Sequence, residues 1–438
     1  MKSLPRRWMA WEAFRAVLIA CLILASLTSS AQAPPNPAPD NAADHYLAAA
    51  KMFVEVEGVS EEAADVAKQG WAGEHPNLED ALAKNANALA ELRKGLAAPY
   101  CSMPASEFYT SPPLDAVALR ALARLILAEG RLYESRGEYE NAYRNFSDVV
   151  KFGHDLPKDG VLINGLVGAA IENLAFDTIK RSLQNPASGA DVYAGAARRL
   201  EDLEATEPHI ADSFRREMES SERTVLRIVA HARDRLMQDI ADELLRRPTD
   251  FLLGPLKGAM IWMQESGQFG PALLWSIYPP HTQTMLANLK MYTETAVLRA
   301  GKPYPQAVHI RLAVPDDPLS KIMLPDLESV QFVHVARGVR AEGTRGILAL
   351  AAYKKINGRY PASLEAVVLV GGPSRPDAAL TRMPLDLFED KPLSYKPVGD
   401  GFVLYSVGPD MADDRAEREC PENLDAASKG DIVFRLNR

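Results

Sequence analysis

The sequence predicts an α+β multidomain protein in which a large, irregular all-α domain precedes a small module of one helix and an antiparallel sheet. Apolar residues recur at spacings of three and four from about Asn41 to Ala300, the period of amphipathic helices. Strand-like segments separated by turn residues occur instead near the end of the chain. With 438 residues, 47% of them hydrophobic, the chain can bury a core, which excludes the disordered, collagen-like and small disulfide-rich classes.

Residues 1–33 have the pattern of a secretory signal peptide. A basic segment containing Lys2 and Arg6 precedes an apolar stretch at 16–27, and Ala31-Gln32-Ala33 matches the small-residue cleavage pattern. We therefore expect export to the periplasm or cell envelope. The alternative is an uncleaved segment that anchors the protein in the inner membrane, although a membrane span needs about 20 apolar residues.

The charge balance indicates which partners to expect. The chain has 49 basic and 58 acidic residues, which gives a formal net charge of −9. Removal of residues 1–33 takes away four basic side chains and Glu12, so that the remaining chain has a formal charge of −12. Proteins that bind nucleic acids present basic surfaces to the phosphate backbone. We therefore expect no nucleic-acid partner.

A Pro-rich linker at 34–42 leads into the helical domain at 43–300. Prolines favour an extended spacer because they fix φ and lack a backbone donor. Within the domain, the segment from Val161 to Ala175 is so apolar that it is expected at the centre of the core. The longest predicted helix begins at Ile210 and continues to Leu244, before Pro248 stops it.

One stretch of this domain resembles a single tetratricopeptide helical hairpin. The resemblance rests on Gly130, Tyr133, Gly137, Tyr139, Ala142 and Phe146. Small residues at these positions let two helices approach, while the aromatic rings fill the groove between them. The resemblance implies either one such hairpin in an irregular helical domain or a peptide-binding array, which needs several stacked repeats.

Aromatic residues are concentrated in the less regular segment 249–325. They include Phe251, Trp262, Phe269, Trp275, Tyr278 and Tyr292. Such residues form either ordinary core or a groove for a partner. Prolines recur in 301–325, which predicts a non-helical connection between two domains.

The last predicted domain comprises residues 326–438. A helix is expected from about Leu327 to Ile356, and Asn357-Gly358 is a suitable C-terminal cap. Three strands are then expected at 393–396, 402–406 and 431–436, the first two joined by a glycine-containing turn.

This C-terminal region resembles the globular module of the major pseudopilin of type II secretion systems. The motifs that carry the resemblance are the run from Ala351 to Pro361, Pro384-Leu385-Asp386, the run from Leu404 to Asp410, and Asp431-Ile432. The resemblance implies a helix packed on a small antiparallel sheet, with a calcium-binding loop after the Tyr-Ser-x-Gly strand. The prepilin cleavage site and filament-forming helix of that family do not occur at the start of this sequence, so we do not expect a filament subunit.

The residues of this loop favour a hard cation independently of the resemblance. Asp410, Asp413 and Asp414 place three carboxylates within five residues, and Asp431 returns to the same place if the last strand joins the sheet. Carboxylates so close repel one another unless a cation or solvent screens them. Calcium, which takes six to eight oxygen ligands, suits them better than zinc. The alternative is a solvated acidic loop without metal.

Two cysteines, Cys101 and Cys420, lie beyond residue 33. In an exported protein they can form a disulfide, and the alternative is two separate buried thiols.

The sequence contains no motif that identifies an enzyme. Its eight histidines are scattered without metal-ligand spacing, and no nucleophile elbow, Walker loop or dinucleotide fingerprint is present. We therefore expect an exported, non-enzymatic envelope protein whose helical domain binds or scaffolds a protein partner, with a calcium-stabilised C-terminal module. A hydrolase with an unrecognised active site in the helical domain is the alternative.

Overall fold

The structure, a computed structural model, describes residues 39–104, 114–184, 187–246, 279–317, 320–321, 324–368, 379–421 and 423–436. The predicted signal peptide, most of the Pro-rich linker and five of the six aromatic residues singled out above, from Phe251 to Tyr278, lie outside these residues. The chain from Asn41 to Arg438 forms one compact unit.

The described residues are mostly helical. Their helices are α1 (Ala42–Met52), α2 (Val59–Gln69), α3 (Pro76–Lys84), α4 (Ala86–Ala97), α5 (Ala116–Ser135), α6 (Tyr139–Asp155), α7 (Leu162–Ser182), α8 (Ala190–Glu204), α9 (Ile210–Arg246), α10 (Pro279–Ala300), α11 (Tyr304–Ala307) and α12 (Leu327–Asn357). Two small antiparallel sheets follow α12. A helical protein with a small antiparallel sheet near its C-terminal end, as the sequence predicts, is therefore confirmed.

Helices α5 and α6 form the hairpin that the tetratricopeptide-like residues predict. The turn between them contains Gly137, whose φ of 78° lies in the left-handed region that glycine adopts readily. A Cβ atom on Gly130 would lie only 2.6 Å from the ring of Phe146, so a larger residue would push the helices apart. Gly130, the ring of Phe146 and the turn at Gly137 therefore have the packing role expected from the sequence.

Helix α7 is a core helix. By length and composition it is apolar enough to cross a membrane, but 61% of its most apolar window is buried inside the unit. It packs against α6 on one side and α12 on another. Its central position agrees with the prediction from the apolar segment that begins at Val161.

Helix α12 lies between the helical part of the chain and the C-terminal sheet. It packs on α7 and α8, and also on two strands of the sheet. Asp326 caps its first turn by accepting a hydrogen bond from the Ser329 N–H at 3.1 Å, and Gly358, with φ of 73°, ends it. Every residue from Ala341 to Ala352 is buried. The helix predicted for the C-terminal module is thus also core for the helical part.

The strands form a hairpin and a meander. The hairpin pairs β1 (Leu385–Asp386) with β2 (Lys391–Pro392), and the meander has the order β3-β4-β5, with β3 at Ser394–Val398, β4 at Gly401–Ser406 and β5 at Ile432–Leu436. The meander strands match the three that the sequence predicts, whereas the short hairpin was not predicted. A Cβ on Gly343 of α12 would lie 2.1 Å from the ring of Phe434 in β5, so helix and sheet touch directly there.

Candidate functional site

The loop between β4 and β5 contains the four aspartates predicted as metal ligands. Asp410, Asp413 and Asp414 follow β4, and Asp431 directly precedes β5. Because β5 pairs with β4, with Ser406 opposite Ile432, the end of the loop returns to its beginning. The structure therefore brings all four aspartates into one loop.

The carboxylates of this loop are engaged by neighbouring polar groups. Asp431 is fully buried, and its oxygens accept hydrogen bonds from the backbone N–H groups of Asp414 at 3.4 Å and Ala416 at 2.6 Å. Asp410 Oδ2 accepts from the Gly430 N–H at 3.4 Å. Asp413 Oδ1 accepts from the hydroxyl of Tyr405 at 3.1 Å. These bonds tie the loop to itself and to the sheet.

The negative charges of the aspartate loop lie close enough together to affect one another's pKa. Burial raises the pKa of Asp431, and the charges of Asp413 and Asp414 raise it further, against the two backbone hydrogen bonds. Burial, followed by the charges of Asp410 and Asp431, raises the pKa of the Cys420 thiol to about 11. A cation in this loop would relieve that repulsion.

The donors of the loop meet the needs of calcium only in part. Carboxylate and backbone carbonyl oxygens are the ligands that calcium prefers. In the described part of the chain, however, no group of three or more His, Cys, Asp or Glu side chains is arranged to hold a metal ion. The four aspartates share a loop, but their carboxylates do not converge on one point. Calcium bound here would therefore draw on backbone carbonyl oxygens together with these carboxylates.

The two cysteines are separate free thiols in the structure. Cys420 Sγ donates a hydrogen bond to the carbonyl oxygen of Gly430 at 2.8 Å. Burial raises the pKa of the Cys101 thiol to about 12. Of the two alternatives left by the sequence, the structure shows the separate thiols.

A cleft of about 500 Å³ lies beside the aspartate loop. Its lining comes from α7 and α12, from Lys68 of α2, from β5 and from loop residues 419–421, 423 and 424. We call this space the interdomain cleft, because its lining combines residues of the predicted helical domain with residues of the predicted C-terminal domain; in the structure both belong to one compact unit.

The interdomain cleft has a basic helical wall. Lys180 is half-buried, and its Nζ donates a hydrogen bond to the carbonyl oxygen of Val433 at 2.9 Å and lies 5.6 Å from the ring centre of Phe434. Burial lowers the pKa of the Lys180 ammonium. Arg181 and Arg340 line the same space. In the sequence Lys180 and Arg181 resemble an ordinary basic last turn of a helix, so nothing there indicates a site.

A second group of charged residues is buried where α12 meets α7, α8 and the start of α9. The Arg337 guanidinium contacts the carboxylates of Glu172 at 3.1 Å, Glu204 at 2.7 Å and Glu207 at 2.7 Å. Arg337 and Glu172 are each at most 3% exposed. We call Arg337 and these three glutamates the Arg337 cluster.

Two histidines complete the Arg337 cluster. His154 Nδ1 lies 2.7 Å from Glu207, and His334 Nδ1 lies 3.8 Å from it. Although burial opposes it, the charge of Arg337 and the contact with His154 lower the pKa of Glu207 to about 2. Burial and the charge of Arg337 lower the pKa of His334 to about 4. Burial raises the pKa of Glu172 well above its usual range.

A small cavity adjoins the Arg337 cluster. Its volume is about 40 Å³, and Glu172, Glu207, Ser213, His334 and Arg337 provide its polar lining. This volume is far below the roughly 300 Å³ at which small-molecule pockets usually begin. The cluster therefore has the histidines and carboxylates that an acid–base site needs, beside a cavity much smaller than a usual substrate pocket.

A third group of charges attaches the C-terminal segment to the helical part. Arg345 of α12 is fully buried, and its guanidinium contacts Glu342 and, at 2.8 Å, Glu201 of α8. Glu201 also accepts hydrogen bonds from the backbone N–H groups of Thr381 and Arg382. These bonds hold the chain that precedes β1 against α8 and α12.

The sequence indicates neither the Arg337 cluster nor the interdomain cleft. His154 and His334 are far apart in the sequence, and only the packing of α6 and α12 against α8, which Glu207 follows, brings them to the same glutamate. No local pattern marks this meeting.

Comparisons with known proteins found no matching family model, no matching curated protein and no matching solved structure.

Proposed function

We propose that this protein is an exported, non-enzymatic envelope protein that binds a protein partner in the interdomain cleft. The proposal rests on the cleft itself, a space of about 500 Å³ that is lined by both the helical part and the C-terminal sheet and loop. A volume of about 300 to 1,000 Å³ is usual for pockets that hold small molecules, so the cleft has room for a few side chains of a partner. Export is supported by the leader pattern in residues 1–33.

The architecture supports a binding role because the walls of the cleft are held in place. Arg337 and Arg345, both on α12, form buried ion pairs with α7 and α8. The same helix packs on β4 and β5. The cleft is therefore preorganised, which lowers the entropic cost of binding.

In this proposal, calcium stabilises the loop of Asp410, Asp413, Asp414 and Asp431. The support is the crowding of four carboxylates in one loop, together with the pseudopilin-like motifs around it. Because residues 419–421, 423 and 424 of the same loop line the cleft, a bound cation would also order part of the lining of the binding site.

The alternative, a hydrolase with its active site in the helical domain, has less support. The Arg337 cluster combines two histidines with three glutamates, but its cavity of about 40 Å³ is much smaller than a usual substrate pocket. A buried, mutually paired set of charges serves to hold helices together.

The proposal is tested by capturing partners from envelope extracts with the intact protein and with a variant whose cleft is filled. Gln184 is exposed and lines the cleft, so Gln184→Trp places a large ring in it. The matched control is Gln283→Trp, since Gln283 is exposed on α10 outside the cleft. We expect Gln184→Trp to lose a partner that the wild type and the control retain. Equal capture by all three proteins would refute binding in the cleft.

A further inference from the structure

We propose that the interdomain cleft recognises an acidic peptide segment of its partner, an inference that rests on the proposed function of the cleft as a binding site. The cations around this space come from three helices that are distant from one another in the sequence. The cations are Lys68 of α2, Lys180 and Arg181 of α7, and Arg340 of α12.

The cations of the cleft are close enough to repel one another. Burial lowers the pKa of Lys180 most; the charges of Asp177 and Glu419 raise it, and the smaller effects of Arg340 and Arg181 lower it. Among the described residues neither Lys68 nor Arg181 has an ion-pair partner. A basic group of this kind in an acidic protein is costly without a ligand and is stabilised by an anion.

The acidic residues that line the cleft do not neutralise all of its positive charge. Glu419 pairs with Arg435 at 2.9 Å, and the carboxylate of Asp431 is turned into its own loop, where it accepts two backbone N–H groups. Asp177 is 61% exposed and lies 3.8 Å from Arg340. Arg340 is therefore partly compensated, and Lys180 is engaged by the Val433 carbonyl and by the charges of Asp177 and Glu419, so positive charge remains available mainly at Lys68 and Arg181.

The shape of the cleft favours a peptide over a membrane surface. Its walls enclose a concave space, and one of them is β5, an edge strand of the described sheet. Edge strands accept extended peptides, and clusters of Arg and Lys recognise acidic motifs. Lys180 donates to the Val433 carbonyl, and Glu419 forms a parallel bridge with Asp431 just before β5, so positive charge lies beside the strand and a peptide has the later residues of the β5 edge to pair with.

The test measures binding of a fluorescent pentaglutamate peptide to the full chain by anisotropy, with labelled pentaglutamine and pentalysine as control peptides. The binding variant is the double substitution Lys68→Gln and Arg181→Gln, which changes two exposed residues of the cleft. Arg215→Gln is the matched control, because Arg215 is exposed on α9 and does not line the cleft. The thermal unfolding midpoint of each variant reports whether it folds.

We expect pentaglutamate to bind and the double variant to bind at least about tenfold more weakly, with Arg215→Gln unchanged. Since the attraction is between charges, raising the salt from roughly 0.02 M to roughly 0.5 M is expected to weaken binding. Equal binding of pentaglutamate and pentaglutamine, or equal binding to both variants, would overturn the inference. So would binding only to vesicles of phosphatidylglycerol, included as a separate arm.

The two proposals fail in distinguishable ways. If Gln184→Trp loses the captured partner while pentaglutamate does not bind, the cleft is a binding site whose ligand is not acidic. If pentaglutamate binds but Gln184→Trp retains every captured partner, the cleft is basic but is not where the partner docks.

Discussion

The Arg337 cluster and the interdomain cleft both place charged residues of α7 and α12 at the boundary with other elements, but they treat those charges in opposite ways. In the cluster, one guanidinium is surrounded by three carboxylates, and only about 40 Å³ of space remains beside them. In the cleft, Lys180 and Arg181 face a space of about 500 Å³.

This difference separates what holds the molecule together from what is able to bind. A buried charge without its partner costs several kcal/mol, so the members of the Arg337 cluster depend on one another. The cations of the cleft remain in contact with water, so each one contributes little to stability. The same residue types therefore stabilise the packing of helices in the Arg337 cluster and form a recognition surface in the interdomain cleft.

The largest effect is expected from Arg337→Met. The variant leaves Glu172, Glu204 and Glu207 buried without their cation, and we expect a loss of about 3 to 5 kcal/mol in the free energy of unfolding, measured by urea denaturation. Arg181→Met removes a guanidinium from the cleft and is expected to cost less than about 0.5 kcal/mol. Similar losses in the two variants would remove the distinction between the regions.

A smaller effect is expected from calcium. If the aspartate loop binds calcium, excess calcium stabilises the intact chain by about 2 kcal/mol relative to EGTA, which raises the unfolding midpoint by several degrees. The intact chain is the appropriate sample because α12, the helix of the C-terminal module, is buried against α7 and α8.

Aspartate-to-asparagine variants test whether the aspartate loop is the source of the stabilisation by calcium. Asp410→Asn is expected to abolish the shift caused by calcium, whereas Asp400→Asn, in the exposed turn between β3 and β4, is expected to keep it. Identical unfolding curves of the wild type in calcium and in EGTA would exclude a stabilising calcium site.

The smallest effect is expected from the pH dependence of the Arg337 cluster. His334 has a pKa of about 4, below its usual 6.5, so the unfolded chain takes up its proton first as the pH falls. Stability is therefore lost between about pH 6.5 and pH 4. We expect His334→Gln to lose about 1 kcal/mol less than the wild type over this range, since partial exposure of the side chain reduces the effect.

Unfolding midpoints at pH 6.5 and pH 4.5 measure this difference, with His309→Gln, at an exposed position, as the control. Glu207, with its pKa lowered to about 2, adds a loss of stability below about pH 4.5 in every variant. Burial raises the pKa values of Glu172 and Glu204, so protonation of these two residues increases stability as the pH falls, and it does so in every variant. An equal acid response of His334→Gln and the wild type would show that His334 does not contribute.

The elements that the sequence predicts well are those that depend on near neighbours in the chain. The limits of α12 follow from its apolar period and from Gly358, and the hairpin of α5 and α6 follows from Gly130, Gly137 and Phe146. The meander strands follow from their alternation and the turn at Gly399. The short β1–β2 hairpin was missed because two-residue strands carry no period.

The sequence by itself thus determined the helices, the meander and the gathering of the aspartates into one loop, since three of these lie within five residues and a predicted strand returns the fourth. Only the tertiary structure decided where charges from distant segments meet. Arg337 and Glu172 are 165 positions apart, and Lys180 and Val433 are 253 positions apart. Local periodicity shows which face of a helix is buried, but not which other helix or strand covers it, so neither the Arg337 cluster nor the interdomain cleft has a signature in the sequence.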